Sequence, residues 1–144
     1  MVCTFFGHRY TPASVEPRLE AYVDELISGG TADRFYLGNH GEFDAMALRV
    51  LRRAKKRHPH INYTVILAYP PTYRSFEQLL PEEIFLPEGM ENADPLTAII
   101  QRNRWMTDRS DMVVCYIDHP EGGAAMAVNY AKKLKKDIYN LAMA

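Results

Sequence analysis

Two kinds of apolar pattern alternate along the chain. Val2–Phe6 is an apolar, β-prone run closed by Gly7, and predicts a first strand. Val15, Leu19, Tyr22, Val23, Leu26 and Ile27 then recur at helical spacing. Ser14 is placed to cap that helix, Glu16 suits its positive end, and Gly29-Gly30 stops it. Arg34–Leu37 predicts a short second strand, cut by Gly38. A second helix follows over about Glu42–Arg57, with Phe43, Met46, Ala47, Val50, Leu51 and Ala54 on one face. Ile61–Tyr69 predicts a third strand, and its near-continuous apolar stretch Val65–Ala68 reads as buried on both faces.

The rhythm breaks over residues 70–93, where Pro70, Pro71, Pro81 and Pro87 stand among acidic residues. This segment predicts a long loop, with a short helix near Phe76–Leu80. Asp94-Pro95 supplies a cap and a first-turn proline for a third helix running to about Arg109. Asp111–Ile117 predicts a fourth strand. A fourth helix begins near Gly122 and buries Ala124, Ala127, Val128, Ala131 and Leu134. Ile138–Ala142 predicts a fifth strand. Strands that alternate with helices imply a parallel sheet covered on both faces, and right-handed crossovers make it a Rossmann-like three-layer α/β sandwich. The expected order is 3-2-1-4-5, in one domain over residues 1–144.

Composition narrows the class. With 144 residues, 47% apolar and 24% charged, the chain is neither disordered nor a disulfide-dense miniprotein. A net charge of −1 provides no global field toward nucleic acid or an anionic membrane. The basic residues ending the second and fourth helices read as compensation of helix dipoles, so a nucleic-acid partner is not expected. No apolar run approaches the roughly 18 residues of a membrane span, and the short first strand lacks the basic flank of a signal peptide. Cys3 and Cys115 both lie in apolar runs and read as reduced core thiols, so a cytoplasmic location is expected.

Ligands of such sheets bind beyond the carboxyl ends of the strands, where the order reverses. Three segments fall on that edge: Gly7-His8-Arg9, the stretch from Gly38 to Asp44, and Asp118-His119-Pro120-Glu121-Gly122-Gly123. Each combines glycine with polar residues, and two lead into helix N-termini. Such backbone favours close approach of an anion. A phosphate on a nucleotide-like molecule is the expected guest. The bland alternatives are turn glycines at Gly38 and Gly41, close helix packing at Gly122-Gly123, and a solvated charge at Arg9. Neither G-x-G-x-x-G nor G-x-x-x-x-G-K-[ST] occurs, so a dinucleotide fingerprint or a Walker-type NTPase is not expected.

On the third helix Arg102, Trp105 and Arg109 share a flank, and Arg104 is spaced to pair with Asp108. Trp105, Tyr69 and Tyr73 are candidates to meet and stack a base, or to fill core. His8, His40 and His119 fall on the candidate edge with Glu42, Asp44, Asp118 and Glu121. Imidazole and carboxylate suit zinc, iron or nickel, but no tight spacing such as H-x-x-x-H occurs. The histidines are therefore read as bonding backbone or ligand, with no metal and no cofactor.

Thr4-Phe5-Phe6-Gly7-His8-Arg9, Gly38-x-x-Gly41-x-Phe43-Asp44, Arg102-Asn103-Arg104-x-Met106, Ser110-Asp111 and Gly122-Gly123 together resemble the SLOG superfamily, in particular its small bacterial and phage-type uncharacterised members. The resemblance spans nearly the whole chain. It implies a Rossmannoid fold that binds nucleotides or nucleotide-derived ligands. A homodimer through the second or third helix would fit the family.

The superfamily includes the Lonely Guy phosphoribohydrolases and the DNA-processing protein A group. Lonely Guy enzymes carry a helix arginine, then P-G-G-x-G-T-x-x-E. Laying Gly122-Gly123 on that motif implies Arg102 for the arginine, but Ala125, Met126 and Asn129 for the later glycine, threonine and glutamate. Asparagine cannot take a proton or stabilise an oxocarbenium ion by charge.

Two expectations follow. The first is binding or sensing of a nucleotide-like molecule through Gly7, His8, Arg9, Gly38, Gly41, Phe43, Asp44, Asp118, Gly122 and Gly123, with Arg102 as phosphate partner. The alternative is an N-glycosidic hydrolase with Asp44 as general acid/base, a residue that reads more readily as a cap carboxylate bonding loop N–H groups.

Overall fold

A computed structural model describes residues 1–70, 79–90 and 93–143. Strands β1 (Val2–Gly7), β2 (Arg34–Leu37), β3 (Asn62–Ile66), β4 (Ile84–Phe85), β5 (Met112–Tyr116) and β6 (Asp137–Asn140) form one sheet. Their order is β4-β3-β2-β1-β5-β6, with every pair parallel. The order of the five expected strands holds, and β4 adds a sixth at the edge.

Helices α1 (Val15–Ser28) and α2 (Glu42–Arg57) cover one face, and α3 (Pro95–Asp108) and α4 (Gly123–Lys133) cover the other. Pleating explains the division. Cys3 and Phe5 pack with Leu19, Val23, Val50 and Leu51 of α1 and α2, whereas Phe6 packs with Met106, Ala127 and Val128 of α3 and α4. The result is a Rossmann-like three-layer α/β sandwich. Among the described residues no helix is long and apolar enough to cross a membrane.

The differences from sequence expectation have local causes. β4 is two residues long, too short for periodicity to reveal, and is held by its pairing with Val65 and Ile66. Beside it the buried Glu83 carboxylate accepts from Arg52 at 2.6 and 2.8 Å, from Tyr63 Oη at 2.5 Å and from the Leu80 N–H at 2.9 Å. Of the expected helix near Phe76–Leu80, residues 76–78 lie outside the described residues, and Leu79 and Leu80 are not helical. Ser14 occupies the N-cap position of α1, but its backbone is already helical and its hydroxyl makes no cap bond. Leu134 ends α4 and is exposed rather than buried. Arg104 stacks over the Tyr130 ring, and it is Tyr130 Oη that bonds Asp108, at 2.6 Å.

The basic end of α2 does more than compensate a dipole. Arg49, Arg53 and Arg57 reach across to Glu16, Glu20 and Asp24 of α1 in a ladder of ion pairs. The ladder joins the two helices along their outer surface, from the first turn of α1 onward, and occupies these cations.

Candidate functional site

The order reverses between β1, β2 and β5, and a hollow of about 290 Å³ opens beyond that point. Phe6 to Tyr10 reach it from β1, His40 and Asp44 from the turn into α2, and Ile99, Arg102 and Asn103 from α3. His119 and Glu121 to Ala124 close it from the turn into α4. The three glycine-bearing edges therefore do meet over one rim. The volume sits near the lower end of small-molecule clefts, about 300 Å³.

Arg102 forms the floor, with only 3% of its surface exposed. Its Nε donates to Asn103 Oδ1 at 2.8 Å. One terminal nitrogen donates to the Ile66 carbonyl at 3.2 Å and to Asn39 Oδ1 at 3.5 Å, and the other to His40 Nδ1 at 3.3 Å. A guanidinium carries five donors in a rigid fork, so one N–H is left without a partner among the described residues. The Asn103 amide nitrogen likewise makes no hydrogen bond to a described residue, and Asn103 lines the same hollow. Burial draws the Arg102 pKa downward and the Asp44 charge opposes this.

Because arginine only donates, His40 Nδ1 must accept, which places the ring proton on Nε2. That N–H donates to Tyr69 Oη at 2.8 Å. Burial, reinforced by Arg102 and Arg9, brings the His40 pKa down to about 4, so the ring is neutral near pH 7. Asp44 Oδ2 accepts the His40 backbone N–H at 2.9 Å. Burial pushes its pKa up to about 6, against the pull of Arg102 and of that N–H.

Several expected residues serve the site from behind. A Cβ on Gly38 would lie 2.8 Å from the Arg102 guanidinium and 3.0 Å from Asp44 Oδ2, so glycine lets these two groups lie against the chain there. Gly41 has φ of 95° and abuts the Arg9 backbone. Phe43 is fully buried beneath Gly7 and does not line the hollow. Asp118, half exposed beside His8 and His119, does not line this hollow but the neighbouring one, with Asn129 and Lys132. Gly7, His8, Arg9, Asp44, Arg102, Gly122 and Gly123 all line the hollow. Gly122 has φ of 98° and leads α4 out of the turn, which directs the free N–H groups of that helix start to the same space.

Sequence reading missed Tyr10, Ile99 and Asn103 as lining residues. Asn103 carried a signal, its place beside Arg102, whereas Tyr10 is 79% exposed and follows no periodicity. The expected meeting of Trp105, Tyr69 and Tyr73 takes another form. Tyr69 pairs with His40, Trp105 packs against Tyr36 and Phe85 under Arg109, and Tyr73 lies outside the described residues. Asn129 lines a neighbouring hollow with Lys132 and Asn140, not the one floored by Arg102.

No protein-family model matches the chain. It is similar to the uncharacterized SPbeta prophage-derived protein YoqJ of Bacillus subtilis (strain 168), with 26% identity over 142 residues, covering 85% of this chain and 83% of that protein. The chain thus has a distant relative among phage-derived proteins of similar length.

Proposed function

We propose that the protein is a SLOG-type module that binds or senses a nucleotide or nucleotide-derived small molecule. One observation carries the reading: a buried arginine with one N–H unpaired among the described residues, the exposed Arg9 and the first turn of α4 face a single hollow. Buried guanidinium donors suit a phosphate by fork geometry, and a helix start adds backbone donors of the same polarity. The flat hydrogen-bonding edges of Asn103 and His119 leave room for the rest of such a ligand. The buried thiols of Cys3 and Cys115 fit a reducing cytoplasm.

Calorimetric titration with nucleoside mono-, di- and cyclic phosphates and ADP-ribose derivatives tests the reading. Saturable binding that weakens in Arg9→Ala and in Arg102→Lys supports it. The absence of saturable binding up to millimolar ligand, or binding indifferent to both substitutions, sinks it.

The hydrolase alternative is favoured by Asp44, a carboxyl whose pKa of about 6 lies close to neutrality inside the hollow. Against it stands Asn129, which can neither exchange a proton nor reach this hollow. Mass-spectrometric appearance of free base from nucleoside monophosphates, lost in Asp44→Asn, would turn the assignment toward catalysis.

A further inference from the structure

The spacing of histidines along the sequence carries no metal signature, but strand register creates one in space. β1 and β5 are parallel with Gly7 opposite Tyr116. The next residues of each strand, His8 on one side and Ile117, Asp118 and His119 on the other, therefore emerge together. Nε2 of His8 lies 3.3 Å from Asp118 Oδ1, and Nδ1 of His119 lies 2.6 Å from the same oxygen. One donor atom from each of the three lies within 4.8 Å of the others.

We infer that His8, Asp118 and His119 form a binding site for one divalent transition-metal ion of the zinc, cobalt or nickel class, at the lip of the Arg102 hollow. Two imidazoles and a carboxylate are the mixed nitrogen and oxygen set these ions favour over magnesium or calcium. Donor atoms bonded to one ion at about 2.1 Å stand roughly 3.4 Å apart in a tetrahedral set, so His8 and Asp118 already have that spacing, whereas Asp118 and His119 must open. His8 is 6% exposed and held in place, its Nε2 accepting the Asp118 N–H at 3.1 Å. An incoming ion takes over that lone pair.

His119 supplies the movement. Its ring lies parallel to His8, with centroids 3.6 Å apart and 9° between the planes, and two parallel rings cannot both aim a lone pair at one ion. His119 is half exposed, and its only side-chain hydrogen bond to a described residue is the one to Asp118. It can swing out of the stack while His8 stays fixed. The ion then takes the place of the hydrogen bond between His119 and Asp118. His8 and His119 also line the hollow, and Glu121 adds a further carboxylate on the same turn. Three protein ligands leave a coordination position open toward that space, the arrangement of sites where an ion meets a ligand rather than serving only to brace a fold.

Cobalt is the informative probe, because its visible bands report donor type and coordination number. The full chain is stripped with chelator and titrated with Co2+ alone, with no nucleotide present. The outcome is therefore independent of the nucleotide reading. We expect a saturable one-to-one band, displaced by Zn2+. His119→Ala and Asp118→Asn, both at exposed positions, should each weaken it by at least the roughly tenfold that even an outer-shell partner is worth. The control is a double substitution, His58→Ala with His60→Ala. Those rings are 6.2 Å apart, and His58 lies 3.3 Å from Asp24, which makes them the rival pair. The inference is overturned if no saturable band appears. It is equally overturned if the band survives both site substitutions, or if it disappears in the control.

Discussion

Asp44 and His40 are neighbours on the turn into α2, and burial acts on them in opposite directions. The Asp44 pKa rises from 3.8 to about 6, and that of His40 falls from 6.5 to about 4. The signs separate cleanly. Asp44 binds its proton more tightly when folded, so it lowers stability as pH rises from 3.8 through about 6. His40 resists protonation when folded, so its contribution is present above 6.5 and is lost as pH falls through about 4. The two slopes oppose each other across the same window. Asp44→Asn should remove one and leave the other. Its stability should then fall by up to about 1.4 kcal/mol per pH unit more than the parent's on acidification through that window. Urea unfolding at closely spaced pH values measures this. Parallel curves for the two proteins would mean that Asp44 titrates normally. Apolar spacing cannot reveal these shifts, because they arise chiefly from burial of polar groups when distant segments close over them.

At the scale of elements, the approach of α2 to β1 depends on one contact. A Cβ at Gly7 would lie 2.1 Å from Phe43 Cγ, well inside any tolerable separation. Gly7→Ala should cost roughly 1–3 kcal/mol or more through overpacking. Combining it with Phe43→Ala should cost less than the sum of the two single changes, because alanine lacks Cγ and Cδ2, two of the three atoms that crowd that Cβ. Additive losses would place the strain elsewhere. The Gly38–Asp44 motif was thus legible as a unit, but Phe43 serves it by seating the helix, not by touching a ligand.

The edge strand β4 hangs on Glu83, whose carboxylate is drawn down to a pKa of about 2, chiefly by its hydrogen bonds from Arg52. A depressed acid contributes stability above 4.5 that is lost as pH falls through about 2. Glu83→Gln should therefore destabilise by about 1–3 kcal/mol at neutral pH. That penalty should shrink toward pH 2 in denaturant titrations, and a pH-independent penalty would contradict the charge-assisted origin. No sequence pattern marked β4, since two residues between prolines have no period to read.

At the scale of the whole molecule, the two core layers carry one thiol each. Cys3 lies with α1 and α2, Cys115 with α3 and α4, and both are fully buried. Burial also pushes both thiols up, Cys115 to about 12, so neither is reactive in place. If the sandwich opens as one unit, both should be labelled by a thiol reagent at the same rate, set by global unfolding. Mass spectrometry of the modified peptides resolves the two, and earlier labelling of Cys115 would show that the α3–α4 layer opens separately.

What the amino-acid sequence by itself determined was the alternation of elements, and with it a parallel sheet covered on both faces. Those features are written in local periodicity and in the chirality of the crossovers, which need no knowledge of distant contacts. The three edges that line the hollow were also legible, since glycine and polar residues at strand ends have a topological address. Only the tertiary structure decided that Arg102 is a buried floor, that Asp44 and His40 exchange their usual titration ranges, and that His8 stands against Asp118 and His119. Each is a matter of register and desolvation between segments as much as 110 residues apart, and neither quantity exists until the sheet has closed.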